Sequence, residues 1–210
     1  MFDYPVPKMF GASSAERMAL MFSWRKRKAL EPLDGLLALV VTDLQSFTSL
    51  VTKLGDSEAR AWIREHNRLV RDAISQDGGR EVAHTGDGVI AAFRSLNAAL
   101  RCTSSIQDQL ADYTRRHSER PLCARIGVHA GEPLPEDGRL FGTAVNTTVR
   151  VCNRARAGQI LVTDVVRQLS LGCGFEFVEQ GSAQLKGLRD DMRLYELLSE
   201  RSSQLQRRSA

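Results

Sequence analysis

The chain has no run of about 18 consecutive apolar residues, so no transmembrane helix is expected. Its opening residues, MFDYPVPKMFG, do not follow the basic, apolar, small-residue order of a secretory signal, which predicts a cytoplasmic location. Cysteine is scarce and scattered. Cys102, Cys123, Cys152 and Cys173 form no CxxC, so reduced thiols are expected and neither a disulfide framework nor a thiolate metal site. Internal repeats are also missing. What remains is ordinary for a globular protein: 42% hydrophobic and 26% charged residues in a chain of 210, long enough for one buried core with short extensions.

A net charge of +4 invites a nucleic-acid reading until it is located along the chain. Residues 1–33 carry +3 and residues 199–210 carry +2, which leaves −1 on residues 34–198. The basicity lies in the two ends, so no duplex-binding face is expected within the domain, and nucleic acid is not an expected partner. The predicted organisation is an N-terminal helical or linker segment (1–33), a domain (34–198) and a disordered tail (199–210). Residues 13–30 have a weak helical pattern that ends in Trp24-Arg25-Lys26-Arg27-Lys28, expected to be a solvated helix or linker.

Within the domain the pattern alternates between strand and helix. Leu36–Thr42 (LLALVVT) reads as a strand buried on both faces. Asp56 opens a helix whose apolar stripe includes Ala59, Trp62, Ile63, His66, Leu69, Val70, Ala73 and Ile74, and Gly78-Gly79 stops it. Arg80–His84 and Val89–Phe93 flank Thr85-Gly86-Asp87-Gly88 as a hairpin. A helix follows over Ser95–His117, then a strand over Ala124–Gly131. Thr143–Ala155 and Asp164–Leu171 are predicted helical, and Gln159–Val162, Phe175–Val178 and Leu194–Leu197 extended. The fold class is therefore α+β, a ferredoxin-like β-α-β-β-α-β unit with a small C-terminal αβ appendage. Trp62 and Phe93 are expected in the core, and His84 and His129 are read as structural or exposed.

Two carboxylates are candidates for chemistry. Asp43 directly follows the buried strand, and Asp87 sits at the hairpin tip between glycines. In a ferredoxin-like sheet these strands are neighbours, so both carboxylates meet at one sheet end. Such a pair suits Mg²⁺ or Mn²⁺, hard ions that take further ligands from water and phosphate. Two ions about 3.5–4 Å apart would activate a hydroxyl and neutralise a leaving phosphate. The backbone N–H groups of residues 44–48 would cradle the phosphates. Taken singly, Asp43 is equally a helix cap and Asp87 a turn residue.

The stretches LVVTDLQSFTSL (39–50), GGREVAHTGDGVIAAF (78–93), RIGVHAG (125–131), LFGTAVNTTVRV (140–151), GQILVT (158–163) and LKGL (185–188) together resemble the class III adenylyl/guanylyl cyclase family. The resemblance implies a two-metal enzyme that cyclises a nucleoside triphosphate, built as a head-to-tail homodimer with its active sites between chains. It assigns Asp43, Leu44 and Asp87 to two divalent cations, Mn²⁺ or Mg²⁺. Asn146 and Arg150 match the catalytic residues that orient the ribose and stabilise the transition state. Phe47, Thr48 and Lys186 match phosphate contacts. The spacing of four between Asn146 and Arg150 puts them on one helix face.

The base pocket departs from the family pattern. Its usual base-reading lysine and acidic residue are replaced by Ala83 and Arg139. Ala83 has no polar group, and a guanidinium cannot accept a hydrogen bond from the adenine amino group. Three readings stay open: a pyrimidine cyclase (UTP before CTP), resembling bacterial enzymes that make an anti-phage second messenger; an ATP or GTP cyclase reading its base elsewhere; and a nucleotide-binding pseudoenzyme. A diguanylate-cyclase-like palm shares the layout but needs a GG[DE]EF turn, where this chain has TGDG.

Overall fold

In the computed structural model the described residues are 33–45, 56–84, 86–136, 139–185 and 191–199. The proposed N-terminal helix, Phe47, Thr48, Lys186 and residues 200–210 lie outside them.

The first strand, β1 (Leu37–Leu44), lies inside the sheet with a partner on each side, which explains its unbroken apolar run. Ala38, Val40 and Leu44 join the large core on one face, and Leu37, Leu39 and Val41 pack on the other. Next come α1 (Asp56–Gln76), β2 (Arg80–His84), β3 (Gly88–Phe93), α2 (Leu96–Arg116) and β4 (Ala124–Gly131). These strands run β2-β3-β1-β4, antiparallel throughout, which is the ferredoxin-like order. The helix α2 is fixed at both ends. The Ser95 hydroxyl accepts from the Ala98 N–H at 3.3 Å, and Arg115 and Arg116 complement the C-terminal dipole.

Helices α1 and α2 share one sheet face. Trp62, Leu69, Val70, Ala73 and Ile74 meet Leu100, Ile106 and Leu110 over Val40, Val89, Phe93 and Val128. Trp62 and Phe93 are buried as anticipated. The opposite face holds α3 (Thr143–Arg154), whose Ala144, Val151 and Cys152 pack on the sheet. This helix is the crossover that makes β7 (Ile160–Thr163) parallel to β4.

The C-terminal part extends the same sheet. After the short α4 (Asp164–Leu169), β8 (Phe177–Gln184) and β9 (Asp191–Leu197) form an antiparallel pair, with β9 docked on β7. The result is a seven-stranded sheet, β2-β3-β1-β4-β7-β9-β8. Three elements differ from the sequence reading, the first being β9, which begins at Asp191 and not at the expected Leu194. The strand expected over Phe175–Val178 runs on to Gln184. A separate hairpin, β5 (Leu134–Glu136) and β6 (Arg139–Phe141), was not anticipated.

Candidate active site

β1 and β3 are registered so that Asp43 pairs with Gly88, the residue after Asp87, which brings Asp87 to the same end of the ladder. The turn before it depends on Gly86, whose φ of +94° is a conformation that favours glycine. As the chain leaves β1 it is pinned on both sides: the Leu44 N–H donates to the Asp87 carbonyl at 3.3 Å, and the Gln45 N–H donates to the Cys123 carbonyl at 2.8 Å. The Leu44 side chain is buried in the core, so only its main chain is left to face a ligand.

The charge of Asp43 acts on Asp87. Burial, and then the negative charge of Asp43, push the Asp87 carboxyl above its ordinary value, against a smaller opposing effect of the Arg125 cation. A carboxyl whose ionised form is disfavoured beside a second carboxylate is a fitting host for a divalent cation, which relieves that penalty. No group of three or more His, Cys, Asp or Glu able to hold a metal occurs among the described residues. Two carboxylates and a carbonyl leave most of an ion's coordination to water and substrate oxygens, the preference of Mg²⁺ and of related hard ions.

Sequence reasoning missed Arg125 as a functional neighbour. It stands directly opposite Asp43 on β4. Its Nε donates to Asp43 Oδ2 at 2.7 Å and its Nη2 approaches the same oxygen at 2.7 Å, in a half-buried setting. Nη1 donates to the Asn153 main-chain oxygen and Nη2 to Asn153 Oδ1, both at 2.9 Å. The available signal was a lone arginine in a strand, RIGVHAG, whose other residues are apolar apart from His129.

Asn146 and Arg150 are one turn apart on α3, whose buried positions are Ala144, Thr147, Thr148, Val151 and Cys152. Asn146 is exposed and Arg150 half-buried. Neither side chain has a hydrogen-bond or ion-pair partner among the described residues. α3 begins after Gly142, in the short link from β6, so β6 and α3 are contiguous.

The two positions expected to read the base, Ala83 and Arg139, lie on strands that touch, because β6 contacts β2. Ala83 packs in a small apolar cluster with Val41, Ile90, Val149 and Cys152. Arg139 is exposed, opposite Glu136 in the hairpin. His84 is half-buried and His66 fully buried, and His84 Nδ1 and His66 Nε2 have no hydrogen-bond partner among the described residues. A cavity of about 730 Å³, bordered by Asp77, Arg101, Asp112 and Cys173, contains none of the candidate residues.

Residues 34–199 match the family model described as the adenylate and guanylate cyclase catalytic domain. An adenylate cyclase of Mycosarcoma maydis is 32% identical over 171 residues, covering 69% of this chain and 7% of that protein. A putative adenylate cyclase of Rhizobium meliloti is 25% identical over 162 residues, covering 76% of this chain and 28% of that protein. The chain thus spans less than a third of these relatives. Among solved structures, the adenylate/guanylate cyclase/hydrolase from Silicibacter pomeroyi superposes with a TM-score of 0.66 at 29% identity, over 80% of this chain and 99% of that one.

Proposed function

The chain belongs to the adenylate and guanylate cyclase catalytic domain family, and on that premise we propose that it is a nucleotidyl cyclase. The reaction joins the 3′-oxygen of a nucleoside triphosphate to its own α-phosphorus. The bond from that phosphorus to the bridging oxygen breaks, pyrophosphate leaves, and the hydroxyl proton passes to solvent.

The observation that carries this reading is the register that seats Asp87 beside Asp43 at one sheet end. Two divalent cations, Mg²⁺ or Mn²⁺, held by Asp43, Asp87 and the Leu44 main chain, would supply acidification of the 3′-hydroxyl and neutralisation of the phosphates. The protein's own share is positioning and charge. Asn146 offers an amide to orient the ribose. Arg150 offers a permanently charged, planar donor to the α-phosphate as negative charge builds. Phe47, Thr48 and Lys186 are assigned to the phosphates by the same family match. Asn146 and Arg150 stand on the side of α3 opposite its buried positions, which supports a homodimer in which each copy completes the other's site.

For the base, the pairing of Ala83 with Arg139 supports a pyrimidine, UTP before CTP. Arg139 supplies donors suited to carbonyl oxygens, and neither residue accepts from an adenine amino group. The resemblance to bacterial pyrimidine cyclases makes an anti-phage second messenger the proposed use. A second reading, an adenylate cyclase that reads its base through other groups, is favoured by the Mycosarcoma and Rhizobium relatives, both named as adenylate cyclases.

Incubating the purified protein with Mn²⁺ and each of ATP, GTP, CTP and UTP, with product masses read out, tests all of this. Cyclic UMP or cyclic CMP supports the pyrimidine reading. Cyclic AMP alone overturns it, and no cyclic product from any triphosphate overturns the cyclase reading.

A further inference from the structure

Arg125 is held from two directions. Two of its nitrogens lie 2.7 Å from Asp43 Oδ2 on β1. Its Nη1 and Nη2 reach the main-chain and side-chain oxygens of Asn153, both at 2.9 Å, in the last turn of α3. A guanidinium seated on a carboxylate oxygen competes with any metal ion for that oxygen, because both are cations seeking the same lone pairs. How firmly Arg125 sits on Asp43 therefore governs how readily Asp43 accepts an ion. Asn153 is the other holder of this guanidinium, and its side chain is exposed, so it contributes little to the core.

We propose that Asn153 is a positioning residue for the ion site: by accepting hydrogen bonds from Arg125 it draws the guanidinium away from Asp43 and sets the carboxylate's affinity for a divalent cation. This rests on the reading of Asp43 and Asp87 as the ion-binding pair. It is the behaviour expected of a residue one step removed from a metal ligand, where outer partners tune affinity without touching the ion. The direction follows from charge. Without its amide oxygen, Arg125 has one fewer acceptor outside Asp43 and settles on the carboxylate. With a carboxylate at position 153, the guanidinium is pulled toward α3 and Asp43 is released.

The test is Mn²⁺ binding to the full chain without nucleotide, read from the electron paramagnetic resonance signal of free Mn²⁺. Asn153→Ala is expected to weaken binding by about tenfold and Asn153→Asp to strengthen it by a similar factor. In an Arg125→Gln background, Asn153→Ala is expected to change nothing further, because its effect passes through the guanidinium. A purely structural role would move both variants the same way. That outcome, or an Asn153→Ala effect that persists without Arg125, overturns the proposal. Asp43→Ala separates the two levels: if Mn²⁺ binding to the chain is indifferent to Asp43, the ion-site reading itself fails and this inference falls with it.

Discussion

Gly127 on β4 and Cys152 on α3 approach so closely that a Cβ on the glycine would stand 2.3 Å from the Cys152 main-chain nitrogen. Gly131, further along the same strand, faces Ala144 in the same way, with 2.9 Å left for a Cβ. Two glycines on one face of β4 thus let α3 lie directly on the sheet, and this seating fixes where Asn146, Arg150 and Asn153 stand. Gly127→Ala forces the helix outward against backbone atoms that cannot rotate away. It is expected to destabilise the fold by about 1–3 kcal/mol and to lower turnover by more than its effect on folding, because Arg150 moves with the helix. Urea unfolding measured beside cyclase activity checks both; an unchanged midpoint with full activity refutes the close seating.

Asp87→Asn separates function from stability. Its carboxyl is disfavoured in the fold by burial and by the charge of Asp43, so a neutral amide of the same shape removes a penalty. The metal-free variant is expected to melt higher than the parent while metal-dependent turnover is lost. Added Mn²⁺ is expected to raise the melting temperature of the parent and not that of the variant. Thermal melts with and without Mn²⁺ decide it, and a variant that melts lower without metal contradicts the penalty on Asp87.

Much of this arrangement is legible in the sequence, and the rest is not for definite reasons. The buried strand that leads into Asp43, the β2–β3 pairing and the helix that follows Ser95 are local signals, each written within a few residues, and the structure keeps them, with Asp43 itself drawn into the strand. The ferredoxin-like order follows once those elements are counted. The β5–β6 hairpin escapes because each strand has three residues, one of them Pro135, too short for any alternation to register. β8 was read short because most of it is exposed and its residues from Glu179 to Gln184 are largely polar or small. Arg125 escaped for a different reason. Its meaning comes from standing opposite Asp43 in the sheet, 82 residues away along the chain, and register between distant strands is not written in either strand alone.

Native thiol reactivity should divide the four cysteines into two pairs. Burial pushes the Cys102 and Cys152 thiols up to about 12, so almost no thiolate exists at neutral pH. Cys123 and Cys173 are exposed. A chromogenic disulfide reagent is expected to titrate two thiols rapidly in the native protein and four in denaturant, with peptide mass analysis placing the fast pair at Cys123 and Cys173. Rapid labelling of Cys152 would mean that α3 lifts from the sheet.

Acid sensitivity should report the half-buried His129 and the buried His66. Burial lowers His129 to about 4, beside a 2.9 Å contact from its Nδ1 to Thr163 Oγ1, and burial likewise lowers His66. The folded state therefore resists protons that the unfolded chain binds near the ordinary imidazole value of about 6.5. Between those values the unfolded state holds more protons, so stability is full above 6.5 and is lost as pH falls toward 4. The His129 share is about 3 kcal/mol at most. In His129→Asn the decline between pH 6.5 and 4 should be shallower than in the parent. Denaturant unfolding across that range measures it, and parallel curves would show that His129 protonates freely in the fold.

The shared-site arrangement has its own test. In the proposed homodimer Asp87 would belong to the ion-binding half of a site, and Arg150, on α3, to the half that a second copy would lend. Asp87→Ala and Arg150→Ala proteins are each expected to be inactive alone, since every site in either homodimer lacks one essential group. When the two are mixed and allowed to exchange subunits, half of the dimers are mixed in the statistical limit. In each mixed dimer one site lacks both groups and the other has both, so about a quarter of parental activity should return. Recovery must also depend on subunit exchange, rising with incubation time and vanishing when the chains are cross-linked before mixing. If Asp87 and Arg150 instead served one site within a single chain, no mixture of the two proteins would regain activity.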